Sequence, residues 1–235
     1  MRNESITGNP TFQKSKDMRT LYLYVALSLV AASICSAQPS TPGSPGKAQR
    51  DSVAHARMIA DSLRIEKLVA ISEYPYLKGT KWSGVVPVAD PTEIPDPNRE
   101  YKLLFGVTAK NPDSLAKDIN KSLDEVARVL NLHVASGIAP SKITPVVLVY
   151  GPGLEALMSN ESYQKKHSVD NPNIKLIQDI EKAGGRFIAC GQAMAFSDVK
   201  KEQLLPEVKI TLTAQTVLSN YQLQGYVLYS IRVDR

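Results

Sequence analysis

Cysteine is nearly absent from this chain, with two in 235 residues, at Cys35 and Cys190. They form no C-x-x-C pair, which excludes a dithiol oxidoreductase acting alone and a thiolate zinc site. Histidine is almost as scarce. His55, His133 and His167 have no ligand spacing between them, so no structural metal is expected. There is no G-x-G-x-x-G, no P-loop lysine motif and no G-x-S-x-G elbow. Those absences argue against a dinucleotide fingerprint, a nucleoside triphosphatase and a serine hydrolase of the α/β type. Basic residues are spread out, not gathered into runs with interleaved aromatics, and nothing points to nucleic acid. The longest uncharged apolar run, Leu21–Ile34, falls short of the roughly 20 residues that cross a bilayer.

That run has a different meaning. Lys14, Lys16 and Arg19 precede it, and Cys35-Ser36-Ala37 supplies small residues before Gln38. The pattern is that of a secretory signal peptide over 1–37, cleaved after Ala37, so the mature chain is expected in the periplasm or outside the cell with no membrane span. Met18-Arg19-Thr20 would make a more compact start than the polar stretch from Met1. Lipid attachment at Cys35 needs a small residue before it, where Ile34 stands; a retained anchor is a third reading. Cleavage lowers the net charge from +5 to +3 and leaves Cys190 as the one thiol, in a compartment that permits disulfides.

Residues 38–100 are expected to hold a tether, a helix and an arm. Gln38–Ala48 is rich in Pro, Ser and Gly and cannot bury a core. Over Asp51–Ile71, Val53, Ala56, Ile59, Ala60 and Leu63 recur at three- and four-residue steps. This amphipathic helix is expected to dock on its own domain or a neighbouring subunit, because its polar face carries both signs of charge, unlike a membrane-surface helix. Five prolines between Tyr74 and Glu100 forbid regular helix, so this stretch is an extended arm. Trp82, the only tryptophan, either pins that arm to a surface, the reading favoured here, or lines a pocket.

From Tyr101 strand and helix patterns alternate five times, and 101–235 is predicted to be one α/β domain. Tyr101–Val107, Pro145–Tyr150, Arg186–Cys190, Val208–Leu212 and Tyr226–Ile231 read as strands. Helices are expected at about Ser114–Leu130, from Leu154, and at Ile174–Ala183, Gln192–Phe196 and Ala214–Leu223, with a helical turn near Lys200–Leu205. Ser159–Asn173 is expected to be a loop. A parallel sheet with helices on both faces is the economical solution.

The candidate chemistry lies in RFIACGQAMAF, Arg186–Phe196. Cys190 ends a strand and precedes a helix, where open α/β sheets place their sites and where helix N–H groups favour a thiolate. The alternative is a buried cysteine acting as a small hydrophobe. Gly191 would let a backbone amide approach a substrate, with Gln192 next to it. Gly151-Pro152-Gly153 opens either an anion cradle or, better, a tight strand–helix turn. His167 could approach Cys190 from the loop as a base or a polar gate.

With these residues in view, Tyr101 to Ile231 resembles the DsrE/DsrF-like family of sulfur-relay proteins, nearest its exported stand-alone branch. The resemblance is carried by YKLLFGVTAKNPDSLAKDINKSL, PVVLVYGPGLEAL and, most specifically, GGRFIACGQAM followed by LLPEV and QLQGY. It implies a three-layer α/β/α sandwich with a five-stranded parallel sheet and small homo-oligomers, often trimers. It also implies a sulfur-carrying cysteine, here Cys190, with Gly191, Gln192, Gly151 and Gly153 around the substrate and no cofactor. The expected function is a persulfide carrier that hands sulfur to a thiol-bearing protein partner. The alternative is a non-catalytic oligomeric module that binds a small ligand or a protein.

Overall fold

The computed structural model describes residues 47–231, so the expected signal peptide and most of the expected tether lie outside the described residues. The chain divides into two units, 1–54 and 55–235. The first contributes only the start of helix α1 (Lys47–Ala70) to the described residues, and the α/β body lies in the second.

The body contains β1 (Tyr101–Val107), α2 (Lys121–Ala135), β2 (Ile143–Val149), α3 (Asn160–His167), α4 (Ile174–Lys182) and β3 (Arg186–Cys190). It continues through α5 (Gly191–Phe196), β4 (Lys209–Thr211), α6 (Ala214–Leu223) and β5 (Val227–Ile231). The five strands are parallel in the order β4-β3-β2-β1-β5. This is the predicted five-stranded α/β sandwich. Strand β2 sits at the centre, as its unbroken apolar run demands. Its proline is tolerated because Pro145 lies one residue before pairing with β3 begins at Val146.

Alternation along the strands makes two cores. Leu103, Phe105, Val107, Val147, Val149 and Phe187 face α2 and α4, where Leu123, Val126, Leu130, Leu176, Ile177 and Ile180 close the larger one. Leu104, Val146, Leu148, Ile188 and Cys190 face the other way, toward Ala214 and Tyr226. Only Ala214 of α6 is buried, so this second layer is thin.

Some boundaries differ from the sequence reading. The stretch from Ser114 is not one helix: a 3-10 turn covers Asp113–Leu115, and α2 begins at Lys121. Asn120 sets that start, its side chain accepting from Ser122 N at 2.9 Å and Leu123 N at 3.3 Å. The run from Gly151 to Leu157 is a 3-10 helix. Ser159–Asn173 is not simply a loop. Ser159 caps α3, whose polar sequence offers no apolar stripe and buries only Tyr163. The last two strands begin one residue later than expected, and β4 is only three residues long.

The arm packs on α2 through two buried polar side chains seven residues apart, hence on one helix face. Asn131 accepts from Tyr76 N and Leu77 N and donates to the Leu77 and Ser83 carbonyls, all at 2.7–3.0 Å. Asp124 accepts from Thr80 N at 2.6 Å and Thr80 Oγ1 at 2.5 Å. Gly79 is required there, since a Cβ would fall 2.2 Å from Asp124 Oδ1. Trp82 is therefore not the pin. It is 48% exposed and lines a groove of about 800 Å³ with Ile65, Val129, Leu228 and Tyr229.

Candidate functional site

Cys190 closes β3 as the N-cap residue of α5 and is 4% exposed. Its sulfur accepts a hydrogen bond from the backbone N–H of Ala214 at 3.2 Å. Ala214 is the first residue of α6, and its N-cap Thr213 accepts from Gln215 N at 3.4 Å. The dipole directed at the sulfur is thus that of the ten-residue α6. The sequence alone points to α5 for it.

The α5 amides have other work. Gln192 N donates to Leu212 O at 3.1 Å, tying the β3–α5 junction to the end of β4. A Cβ on Gly191 would lie 2.6 Å from Thr211 O and 3.4 Å from Leu212 O. Glycine at 191 lets two backbone segments meet. Gly191 and Gln192 therefore sit beside Cys190 and shape its surroundings through packing.

Gly151 and Gly153 lie against a different segment. Gly151 has φ +57° and Gly153 N donates to Thr108 O at 2.9 Å. A Cβ at 153 would meet Val107 O at 3.1 Å. The pair closes the turn against the segment after β1, the tight-turn reading.

The three histidines sit on separate elements. His167 ends α3, with Nε2 3.3 Å from Glu155 Oε2 and its ring 4.5 Å from that of Tyr163. Glu155 also pairs with Lys110 at 3.5 Å and with Lys166. His167 therefore sits in this cluster with Glu155 and Tyr163. The Nδ1 of His133 lies 2.7 Å from Val129 O, while His55 is exposed on α1. Among the described residues no three His, Cys, Asp or Glu side chains converge on a point that could hold a metal.

Sequence reasoning missed the apolar rim near the thiol. Beyond Gly191, Ile210 and Leu212 flank the open edge of the sheet, Leu212 being 76% exposed, and Phe196 at the end of α5 is 91% exposed. It also missed the asparagine ladder below α2. Asn173 Oδ1 accepts from Asn120 N at 2.7 Å, and Asn173 Nδ2 donates to Asn171 Oδ1 at 2.8 Å. Asn171 in turn donates to Met158 O at 2.6 Å. Asparagines in a polar stretch read as loop, and nothing in their spacing announces burial.

Chemically, this arrangement offers, among the described residues, one sulfur nucleophile at the carboxyl end of a parallel sheet, with a helix amide on it. It defines the class of open α/β proteins with a lone thiol at the sheet's carboxyl edge. Residues 102–229, more than half the chain, match the DsrE/DsrF-like family, and the chain belongs to that family. A solved structure titled a protein of unknown function, MTH1491 from Methanobacterium thermoautotrophicum, is similar over 56% of this chain and 100% of its own. The identity is 17% and the TM-score 0.42. Among curated proteins no match is found.

Proposed function

We propose that the protein is an exported sulfur carrier that holds sulfane sulfur as a persulfide on Cys190 and passes it to a partner thiol. In loading, the Cys190 thiolate attacks the outer sulfur of a donor persulfide R–S–SH. The donor S–S bond breaks, R–S⁻ leaves and takes up the thiol proton, and Cys190–S–SH results. In unloading, an acceptor thiolate attacks that outer sulfur and Cys190 leaves as thiolate. The sulfane sulfur keeps its oxidation state throughout, so no external oxidant or reductant is needed.

The observation that carries this reading is the Ala214 N–H on Sγ, a donor placed to stabilise the charge that develops on sulfur as the S–S bond forms and breaks. Family membership is consistent with sulfur relay. Export rests on the Leu21–Ile34 run with its flanks, and assembly into a small homo-oligomer, trimers included, on the family resemblance.

The test is intact-mass analysis of the mature protein after exposure to a small persulfide donor, compared with Cys190→Ala. A gain of one sulfur atom that Cys190→Ala lacks, and that an acceptor thiol removes, supports the carrier. An unmodified Cys190, under conditions that load a control carrier, would falsify it.

The burial of Cys190 favours a second reading, a binding module in which the thiol is only packing. Thiol labelling without denaturant separates the two. A carrier reacts through transient opening, whereas a packing cysteine labels only on unfolding.

A further inference from the structure

Cys190 is buried, yet a sulfur carrier must meet its partners, so an element over the thiol has to move. The side chain lies on the thinner face of the sheet, in the cluster that Ala193 of α5 and Ala214, Val217 and Leu218 of α6 complete. Helices α5 and α6 stand around it, and they are held very differently.

Helix α5 is locked in place. It continues straight from β3, Gln192 N donates to Leu212 O at 3.1 Å, and Met194 is buried in the larger core on the other face. Gly191 lies so close to the Thr211 carbonyl that a Cβ would not fit. Moving α5 would drag the end of β3 and its pairing with β4.

Helix α6 is held far more lightly. Ala214 is its one buried residue; Val217, Leu218 and Tyr221 are half-buried and the rest are exposed. The nine-residue α4, for comparison, buries Leu176, Ile177 and Ile180. The side-chain hydrogen bonds of α6 run within the helix, from Thr216 to Thr213, Ser219 to Gln215 and Gln222 to Leu218. Its far end is steadied by rings: Tyr221 stands edge-on to Tyr226 at 4.8 Å, with the Arg186 guanidinium 5.8 Å from the Tyr221 ring. At the near end the hold is the buried Ala214 and its N–H on the Cys190 sulfur. A short helix with so little buried apolar surface opens locally at a lower free energy than the sheet it covers.

We infer that α6 is the lid of Cys190. It unwinds from its Ala214 end while the sheet and α5 stay folded, admits the donor or acceptor, and on rewinding returns the amide to the sulfur. The lid rests on the carrier reading for its purpose, and its motion is measurable apart from sulfur transfer.

The test uses the full-length protein and two pairs of variants at exposed helix positions: Ser219→Ala and Ser219→Gly in α6, Gln178→Ala and Gln178→Gly in α4. Alkylation of Cys190 by iodoacetamide without denaturant is followed by the mass of the peptide that carries it. Ser219→Gly is expected to react about fourfold faster than Ser219→Ala, the ratio set by their helix propensities, while the Gln178 pair react alike. Backbone amides of α6 are expected to exchange sooner than those of α2 and α4. The lid is overturned if the Ser219 pair react alike, if the Gln178 pair separate as widely, or if α6 is protected as long as α2. Persulfide uptake separates the two readings. A thiol that follows the Ser219 pair but takes up no sulfur keeps the lid and sinks the carrier, whereas loading that ignores the pair does the reverse.

Discussion

The backbone N–H of Ala214 points at the sulfur of Cys190 from 3.2 Å, across 24 residues of sequence. This single bond joins the end of β3 to the start of α6 and makes the thiol's environment a property of the tertiary fold.

Removing that donor while keeping the helix tests its role. Ala214 is the first residue of α6, a position that accepts proline, and Thr213 before it is already extended at φ −150°, ψ 145°. Ala214→Pro should therefore keep α6 and delete the N–H. A hydrogen bond to a charged group contributes about 1.5–3 kcal/mol, so persulfide loading should slow by about tenfold or more. Ala214→Ser, which retains the amide, should load at close to the native rate. Loading rates of the two variants, followed by intact mass with circular dichroism as a fold check, decide it.

The packing role of Gly191 makes a separate prediction. A Cβ there would meet Thr211 O at 2.6 Å, a backbone atom that cannot swing aside. Gly191→Ala should push β4 off β3 and cost about 1–3 kcal/mol, the usual range for overpacking. Amide exchange at Lys209–Thr211 should speed up while the β1–β2 ladder stays protected.

The strands themselves follow from residues that can be read directly. Tyr101–Val107 and Arg186–Cys190 have the predicted bounds, because each is an apolar run ended by a turn. The cysteine's place at a strand end is legible for the same reason. Its amide donor is not, because Ala214 reaches it only once β4 and α6 have crossed back over the sheet. The anchor of the arm is hidden on the same ground. Composition points to Trp82 as the anchor, since aromatic area is visible in a sequence. The real anchors, Asp124 and Asn131, read as polar positions on a helix whose opposite face is apolar. A buried hydrogen-bond network has no periodic signature, and a side chain such as Asn131 gains its meaning only from the backbone groups that fold onto it.

That network supplies the next prediction. Asn131 is fully buried and makes four hydrogen bonds to the arm backbone. Asn131→Leu keeps the volume and strands those four groups without partners. The loss should be about 2–4 kcal/mol, with the arm released before the sheet unfolds. Limited proteolysis should then cut within Tyr74–Glu100 under conditions where the native chain is intact. Trp82 emission should shift to the red as the clamp opens.

Glu181, at the end of α4, gives a pH dependence with a definite sign. Burial holds its carboxyl above the ordinary range near 4.5, and the charge of Glu207 adds to the shift. The folded state therefore binds this proton more tightly than the unfolded chain does. Its contribution to stability is fully present below the unfolded value and is lost as pH rises from there through the folded value. Glu181→Gln removes the titrating group and keeps the shape. The variant should melt at a higher temperature than the native protein at pH 7, and its advantage should vanish by pH 4. The side chain is only half-buried, so the gain is small and calls for paired melting curves in one buffer series. An advantage that persisted unchanged to pH 4 would mean that the carboxylate's charge is not what the fold resists.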